Sequence, residues 1–494
     1  MGVVIRQSFI SSVFGYLGIV IGYVNVIILM PKYLTLEEIG LYRTVIACTM
    51  LLVPFAMLGS SATMQRFFPK FSENTEKLIS LTFALLLAGF VLVSGLFLVF
   101  KEQFFLYFSE NATRVNDYYY LIPILLFFIV IFSLLESFSK ANLNIIFPNF
   151  LRDVVYKIFT TSLVVLFAIG AVSFDAFLYS QVLFYMLISL TLLIHISRRF
   201  SFLSFIKKIK MPTLDRKVIG FSLFSFLSVA GVTIVTYIDQ VMVSRYLGLS
   251  LNGIYTTAVF ITVVIEYPKR FVSQISYQIM VNSYEKHDIE GIGEHYRKAS
   301  INQGIVGGLI FLLILINLDN IFGIMPKGES FAQGRNVFIL VGLAKLSNMF
   351  FSLGSEIISI SRIYRYNVIL AILLGMLTVI SNLLLIPLYG IDGAAMATLI
   401  SFIIYDIIKF TLVKYHLNIQ PFNKKTLLAI ALIAVCIAVN KIIPQFDSNY
   451  VDAITRSFLV TSFFLFLTYF AGLSVEINNH IKMYLAKAVN LLRR

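Results

Sequence analysis

The residues best placed to do chemistry in this chain are charged side chains inside long apolar runs. Lys345 lies midway along the apolar stretch 331–356, and a charge surrounded by apolar residues is expensive and usually serves a function. It would either bind an anionic ligand or pair with a nearby carboxylate, and the sequence leaves both interpretations open. Asp239, near the end of the stretch 218–244, would either couple ion movement to a conformational change or pair with Arg245.

Two further acidic residues, Glu136 and Glu356, occupy comparable positions near the ends of their apolar stretches. Both are candidates for ion coupling. Asp406 and Lys409 are also embedded in an apolar stretch, three residues apart. That spacing places them on one face of a helix, so we expect them to pair with each other.

Basic residues cluster at the ends of several apolar stretches. Such residues ordinarily contact lipid phosphates, but the forked guanidinium of arginine and the ammonium of lysine also match the oxygens of a diphosphate. Four of them are candidate substrate-binding residues: Arg66, Lys140, Arg152 and Arg270.

Motifs for catalysis and metal binding are absent from the sequence. There is no G-x4-G-K-[ST] loop for ATP hydrolysis, the five histidines are scattered, and both cysteines lie in apolar runs. We therefore expect neither an enzyme nor a resident cofactor or metal. Any transport would draw on a proton or sodium gradient.

The composition indicates the class of protein that contains these charged residues. Of the 494 residues, 59% are hydrophobic and 13% are charged, and the mean hydropathy is +0.89. A soluble domain has about a quarter charged residues, so ordinary soluble enzymes and disordered proteins are excluded. The net charge of +14 would suggest nucleic-acid binding in a soluble protein, but in a membrane protein it belongs to cytoplasmic loops. We expect a polytopic membrane protein that binds membrane lipids and no nucleic acid.

The apolar stretches are long enough to cross a bilayer as helices, which takes about 20 residues each. An all-α membrane protein follows, because lipid offers no partner for an unpaired backbone group. The sequence predicts fourteen spans, near residues 7–31, 40–64, 77–100, 118–139, 151–172, 175–196, 218–244, 251–272, 299–318, 331–356, 363–388, 390–413, 425–443 and 454–473.

The orientation follows from the basic residues between the spans. With a cytoplasmic N-terminus, 29 lysines and arginines fall in internal segments and 9 in external ones. This asymmetry is the positive-inside pattern. Both termini are therefore expected in the cytoplasm. External connections are short, which leaves no room for an external catalytic domain.

The chain contains an internal repeat. Residues 32–44 match residues 245–257 at a constant offset of 213, with the shared pattern Tyr-Leu-x-Leu-x3-Gly-x-Tyr-x-Thr. Each copy joins the first and second helix of its half. Two halves of six spans enter the membrane in the same sense, as in transporters built from parallel repeats. We predict two six-helix lobes around a central cavity, which suits alternating access.

The predicted organisation has five parts, and the last two fall outside the repeat. They are an N-lobe over 1–197, a basic cytoplasmic linker over 198–217, a C-lobe over 218–415, two additional spans over 424–473, and an amphipathic cytoplasmic tail over 474–494.

Two junctions carry a resemblance to a known family. The segment 382–398, Asn-Leu-Leu-Leu-Ile-Pro-Leu-Tyr-Gly-Ile-Asp-Gly-Ala-Ala-Met-Ala-Thr, and the Tyr-Leu-x5-Gly-x-Tyr junction at 33–42 resemble polysaccharide flippases of the multidrug/oligosaccharidyl-lipid/polysaccharide (MOP) exporter superfamily. In the first segment, Pro387 is expected to stop the eleventh helix, and Gly390 and Gly393 to permit a tight hairpin.

The resemblance implies a flippase that carries a polyprenyl-pyrophosphate-linked oligosaccharide, such as an O-antigen or other surface polysaccharide unit, outward across a bacterial plasma membrane. It also implies that the protein functions as a monomer, alongside a polysaccharide polymerase and other assembly proteins. It also suggests a gate in the first helix at Asn25, Gly18 and Gly22, for which simple helix packing is the alternative. The alternative functions are a cation-coupled multidrug or metabolite exporter of the same superfamily and a membrane glycosyltransferase or polymerase.

Overall fold

The protein is described by a computed structural model that covers residues 2–71, 75–200, 216–479 and 483. These residues form helices and contain no strand, which confirms the all-α membrane fold. In the first part of the chain the helices are α1 (Gly2–Tyr23), α2 (Met30–Tyr33), α3 (Leu36–Met57), α4 (Ser60–Phe67), α5 (Thr75–Val99), α6 (Lys101–Tyr107), α7 (Leu121–Ala141), α8 (Ile146–Phe150), α9 (Tyr156–Ala168) and α10 (Phe174–Phe200).

The remaining helices follow the basic linker, of which residues 201–215 lie outside the described residues. They are α11 (Arg216–Leu247), α12 (Leu249–Glu285), α13 (Ile289–Ile316), α14 (Leu318–Ile324), α15 (Gly328–Phe331), α16 (Arg335–Phe351), α17 (Gly354–Ile360), α18 (Tyr366–Leu417), α19 (Lys424–Asn440) and α20 (Asn449–Phe470). The predicted tail lies outside the described residues except for 474–479 and 483.

Ten of these helices are long and apolar enough to cross a membrane, and a bent pair, α15–α16 with α17, raises the number to eleven. The count of fourteen spans stays a prediction. Two of the predicted spans share α18, whose 52 residues exceed the length of one crossing. Helix α19 has only 17 residues, and the predicted span 151–172 is divided between a π-helical segment and α9.

The break within α18 lies at Gly390, where φ is 62° and ψ is −138°. A Cβ on Gly393 would lie 2.1 Å from the carbonyl oxygen of Leu385, so the chain folds back on itself as the predicted hairpin. Pro387, however, lies inside the helix and does not end it. A proline removes one backbone donor but lets the helix continue for another turn, and the positive φ of the glycine makes the actual break.

The chain forms two compact units. Unit 1 comprises Met1–Thr257 and Ala371–Ala394, and unit 2 comprises Ala258–Leu370 and Ala395–Arg494. Among the described residues, unit 1 packs α3, α5, α7 and α10 around a core that includes Leu125, Leu126 and Val130. In unit 2, a core that includes Tyr296 and Ile357 joins α13 and α17 to the end of α18. The predicted division into lobes 1–197 and 218–415 stays a prediction.

Two π-helical segments interrupt the helices of unit 1. One covers Val24–Leu29, between α1 and α2, and the other covers Leu151–Val155, between α8 and α9. π-Helical turns are rare and often mark functional positions. Both segments contain residues predicted to belong to the site, Asn25 and Arg152.

A buried ion pair within α20, between Asp452 and Arg456, also contacts the preceding helix α19. The Arg456 guanidinium on α20 makes two hydrogen bonds of 3.0 Å to Asp452 and one of 2.8 Å to the side chain of Asn440 on α19. Asn320 donates to Asp452 at 2.6 Å. All the strong hydrogen-bonding groups of this pair are therefore satisfied, as stability requires for charges away from water.

We expect Arg456→Met to destabilise the protein by about 3 kcal/mol, because it leaves the Asp452 carboxylate buried without its cation. The measurement is the melting temperature of the purified protein in detergent. The double variant Asp452→Asn/Arg456→Met should regain part of the loss. An unchanged melting temperature for the single variant would show that the pair contributes little.

Candidate functional site

The deep lysine is paired with a carboxylate. Lys345 lies in α16, and its Nζ is 2.8 Å from Oε2 of Glu266 on α12. The two side chains keep 18% and 27% of their accessible surface, although each lies in the middle of an apolar helix. A charged pair that faced lipid there would be very costly, so we expect its accessible surface to face water. The pairing of Lys345 with a carboxylate is thus observed, and its anion binding stays a prediction.

A row of polar groups in unit 2 begins one turn from this pair. Lys269 on α12 donates to the backbone oxygen of Asn348 at 3.2 Å and also contacts its side-chain oxygen. The Asn348 amide donates to Asp406 at 3.2 Å, and Asp406 accepts from Lys409 at 2.8 Å. The expected pairing of Asp406 with Lys409 is confirmed, and both side chains are buried.

Glu356 is separated from Lys345 by a break in the helix. The sequence predicts one span over 331–356, but α16 ends before Ser352, whose φ is 52°. Helices α15–α16 and α17 meet at a bend of 46°. Glu356 therefore lies in the first turn of the next helix, α17, where its buried Oε2 has no hydrogen-bond partner among the described residues. Its role in ion coupling stays a prediction.

In unit 1, one acidic residue forms ion pairs with two of the predicted cations. Oε1 of Glu136 on α7 lies 2.8 Å from Lys140 and 2.6 Å from Arg152 in the second π-helical segment. Arg152 also donates to Asp153 at 3.1 Å and to Asn149 at 3.2 Å. The structure thus brings Glu136, Lys140 and Arg152 into one cluster, although the sequence assigned them to separate roles.

The other two predicted cations are exposed. The Arg66 guanidinium on α4 stacks 4.2 Å from the ring centre of Phe221, and that of Arg270 lies 5.2 Å from the ring centre of Tyr267. Cation–π contacts of this kind hold an arginine without neutralising its charge. Both side chains keep their hydrogen-bonding edges available for a ligand or for lipid phosphates.

Asp239 is buried in unit 1, where neutral groups are among its hydrogen-bond partners. It accepts a hydrogen bond of 2.9 Å from the Tyr255 hydroxyl and one of 2.5 Å from the Asn382 amide. The Arg245 guanidinium, its suggested partner, donates to the backbone oxygen of Tyr107 at 2.8 Å. Both of these partners donate to the carboxylate, so its negative charge is stabilised by hydrogen bonds inside an apolar segment.

Of the predicted gate residues of the first helix, Gly18 lies against the second π-helical segment. A Cβ on Gly18 would lie 2.1 Å from the backbone oxygen of Asp153, so a larger residue would force the helices apart. Gly22 is buried. Asn25 donates to Thr160 at 3.3 Å, and its buried side-chain oxygen has no partner in the described part of the chain. The close contact supports packing, and the gate stays a prediction.

The two repeated junctions pack against each other. A Cβ on Gly40 would lie 1.8 Å from the oxygen of Leu249, and a Cβ on Gly253 would lie 2.4 Å from the oxygen of Leu36. The two contacts are equivalent under the offset of 213, because Gly40 corresponds to Gly253 and Leu36 to Leu249. A two-fold relation between the copies requires this equivalence. Beside them, Thr44 hydrogen bonds to Ser244 at 2.5 Å. The glycines are therefore needed for helices α3 and α12 to touch.

Several charged residues of the site were not singled out from the sequence. Glu266 lies within a predicted span, and so does Lys157. The charges of Asp153 and Arg43 act on the Lys157 ammonium group. Tyr42, beside Arg43, shares a 3.0 Å hydrogen bond with Tyr156. The rule that singled out Lys345, a charge inside an apolar run, would have found Glu266 and Lys157 as well.

The described residues contain no group of three or more His, Cys, Asp or Glu residues that could hold a metal ion. The clusters described above are instead pairs and triads of opposite charge. They are suited to binding and releasing a charged group, since they offer cations with carboxylate partners but no nucleophile and base in contact.

Comparisons with known proteins place this geometry in context. Residues 4–268 match the family described as polysaccharide biosynthesis protein. Comparison with curated protein sequences gave no match.

Solved structures with the same fold include the lipid II flippase MurJ in an inward closed conformation (16% identity, TM-score 0.71, covering 94% of this chain and 99% of MurJ). They also include an inward-facing multidrug resistance MATE family transporter of the MOP superfamily (14% identity, TM-score 0.60, covering 84% of this chain and 98% of that one). A third is a MOP superfamily transporter from Pyrococcus furiosus described as having a binding pocket of reverse polarity (13% identity, TM-score 0.59, covering 84% and 95%). At these identities the likeness shows the fold.

Proposed function

Because the chain belongs to the polysaccharide biosynthesis protein family, we propose that it is a flippase for a polyprenyl-pyrophosphate-linked oligosaccharide, an O-antigen or other surface polysaccharide unit. The observation that carries the proposal is an accessible cation, Lys345, in the middle of a membrane-spanning helix. A sugar diphosphate cannot enter hydrocarbon unaided, because its charges lose water without replacement partners. Cations in an aqueous space within the protein supply those partners.

The proposed mechanism is alternating access. The two lobes enclose a cavity that opens first to the cytoplasmic leaflet and then to the outer leaflet of a bacterial plasma membrane. Five cations bind the diphosphate or line its approach path: Lys345, Arg66, Lys140, Arg152 and Arg270. The polyprenyl chain stays in lipid. The protein works as a monomer beside a polymerase and other assembly proteins, with both termini in the cytoplasm.

The contact between Gly40 and Gly253 supports an external closure in this scheme. The repeated junctions lie on the predicted external side, and their helices meet backbone to backbone. Opening the outer side would separate the two copies and break the hydrogen bond between Thr44 and Ser244. A gate in the first helix at Asn25, Gly18 and Gly22 would move together with the π-helical segments.

Ion coupling is assigned in this proposal to Asp239, with Glu136 and Glu356 as further titratable groups. Asp239 is supported by its burial among oxygen- and amide-bearing partners, Tyr255 and Asn382. Binding of a proton or sodium ion there would neutralise a charge that is otherwise costly inside the membrane.

Asp239→Asn is expected to reduce transport at least tenfold and to remove its dependence on an imposed ion gradient. The amide keeps the acceptor for Tyr255 but cannot change its charge. The measurement is flipping in proteoliposomes with and without a sodium or proton gradient. Asp319→Asn, at an exposed carboxylate that pairs with Arg335, is the matched control. A variant that keeps the gradient dependence of the wild type would contradict the assignment.

The function itself is tested by deleting the gene and measuring lipid-linked sugars in each leaflet. Accumulation in the cytoplasmic leaflet supports the flippase. The multidrug exporter remains the second candidate, because it shares the fold and would also use a coupling carboxylate such as Asp239. Unchanged lipid-linked sugars with altered drug sensitivity would favour the exporter and overturn the flippase.

A further inference from the structure

The cation at the centre of the proposed binding site already has an anion. The Nζ of Lys345 donates to Oε2 of Glu266 at 2.8 Å, across two different helices. This partner is 79 residues away in sequence, so the pair is made by the fold and not by local helix geometry. Both side chains are partly accessible, and a ligand that reaches Lys345 also reaches its partner.

Glu266 is surrounded by positive charge. Besides Lys345, the charges of Lys269 and Arg270 act on its carboxylate. Lys269 is held by Asn348, and Arg270 is exposed beside Tyr267. One carboxylate therefore sits among three cations, in the position that an anionic group of a ligand would take.

The same design occurs independently in unit 1. There Oε1 of Glu136 accepts from Lys140 at 2.8 Å and from Arg152 at 2.6 Å. A single carboxylate again occupies the point where two cations converge. In both clusters the oxygen–nitrogen distances are those of strong, charge-assisted hydrogen bonds.

Such a carboxylate has a physical consequence for binding. A diphosphate must replace the carboxylate at the ammonium group, so part of its interaction energy goes into separating the pair. The carboxylate stays tethered beside the site and can return to the lysine when the diphosphate starts to leave. It therefore weakens binding and speeds release, which a transporter needs at the end of its cycle.

We infer that Glu266 is an intramolecular competitor of the substrate diphosphate, which occupies Lys345 in the empty protein and displaces the diphosphate from Lys345 on release. The inference rests on the proposed function. Glu266 is accordingly a positioning residue, because it acts on the substrate through Lys345. It also sets specificity, since a ligand with a single weak anionic group would not outcompete a tethered carboxylate.

The test uses the full-length protein in lipid nanodiscs with farnesyl diphosphate as the probe, measured by calorimetric titration. Glu266→Gln keeps the size of the side chain and removes its charge, so we expect it to bind the probe about tenfold more tightly than the wild type. Flipping of the lipid-linked oligosaccharide in proteoliposomes should become slower, because release is impaired. A purely structural defect would instead weaken binding and slow flipping together.

The matched control is Glu294→Gln. Glu294 also pairs with a lysine, Lys298, at 2.7 Å, but both side chains are more than half exposed. This variant should leave both binding and flipping unchanged. If Glu266→Gln does not fold, Glu266→Asp serves in its place, because its side chain is one methylene shorter and reaches Lys345 less well; it should also bind more tightly than the wild type.

Each result decides between the two proposals. Tighter binding with slower flipping supports the competitor role, as does binding by the Glu266 variant alone. If the wild type binds the probe and the Glu266 variants bind it equally well or more weakly, the inference is overturned but the flippase stays in place. Absence of binding in every variant overturns the diphosphate site itself, and the inference with it.

Discussion

Replacing Lys345 with methionine is expected to abolish flipping of the lipid-linked oligosaccharide. The substitution keeps the length of the apolar stem and removes the ammonium group. Loss of a hydrogen bond to a charged group costs about 1.5–3 kcal/mol, which weakens diphosphate binding about 10- to 150-fold. Flipping is measured in proteoliposomes that contain the purified variant and a labelled lipid-linked oligosaccharide.

Two controls separate a binding defect from a folding defect. Lys345→Met leaves Glu266 without its partner, so the double variant Glu266→Gln/Lys345→Met, which removes both charges, should restore stability but not transport. Lys298→Met breaks an exposed pair with Glu294 and should be fully active. Full activity in Lys345→Met would remove this lysine from the site.

The second large effect is expected at the contact between the repeats. Gly40→Ala places a Cβ within 1.8 Å of the Leu249 oxygen, so helices α3 and α12 must separate. Overpacking of this kind costs about 1–3 kcal/mol, which shifts an equilibrium between two conformations about 5- to 150-fold. We expect the external side to open and flipping to fall.

The measurement is the labelling of a cysteine at Ser244 by a membrane-impermeant thiol reagent, in a background without Cys48 and Cys436, which are buried. Labelling from outside should increase in the Gly40→Ala variant. Gly95→Ala is the matched control, because a Cβ there would meet no atom within 4 Å. Equal labelling in both variants would show that this contact does not close the external side.

The helical fold and the family could be predicted from the sequence because both depend on local patterns. Apolar stretches of bilayer length fix the helices, and the family match confirms the resemblance. The junction at 33–42 lies within the matched residues 4–268, and the junction at 382–398 lies outside them. Gly390 makes the predicted hairpin. The contact of Gly40 with Leu249 was not predicted from the sequence.

The partners of the charged residues could not be predicted in the same way. Glu266 and Lys345 are 79 residues apart, and Asp239 and Asn382 are 143 apart. Such pairs depend on how helices rotate about their axes, which a single sequence does not specify. Asp406 and Lys409 were predicted correctly because their spacing along one helix is sufficient. The break at Ser352 was missed, since no proline marks it.

The π-helical segment that follows the first helix offers its side chains a way to change direction without unwinding the helix. Val24–Leu29 contains Asn25, and the segment Leu151–Val155 lies against Gly18. A π-helical turn holds one residue more than an α-helical turn. If this surplus residue migrates along the helix, each position that it passes rotates by about 100° while the hydrogen bonding is kept. In the proposed gate, such a register slip would move the Asn25 amide from its contact with Thr160 toward the proposed transport path.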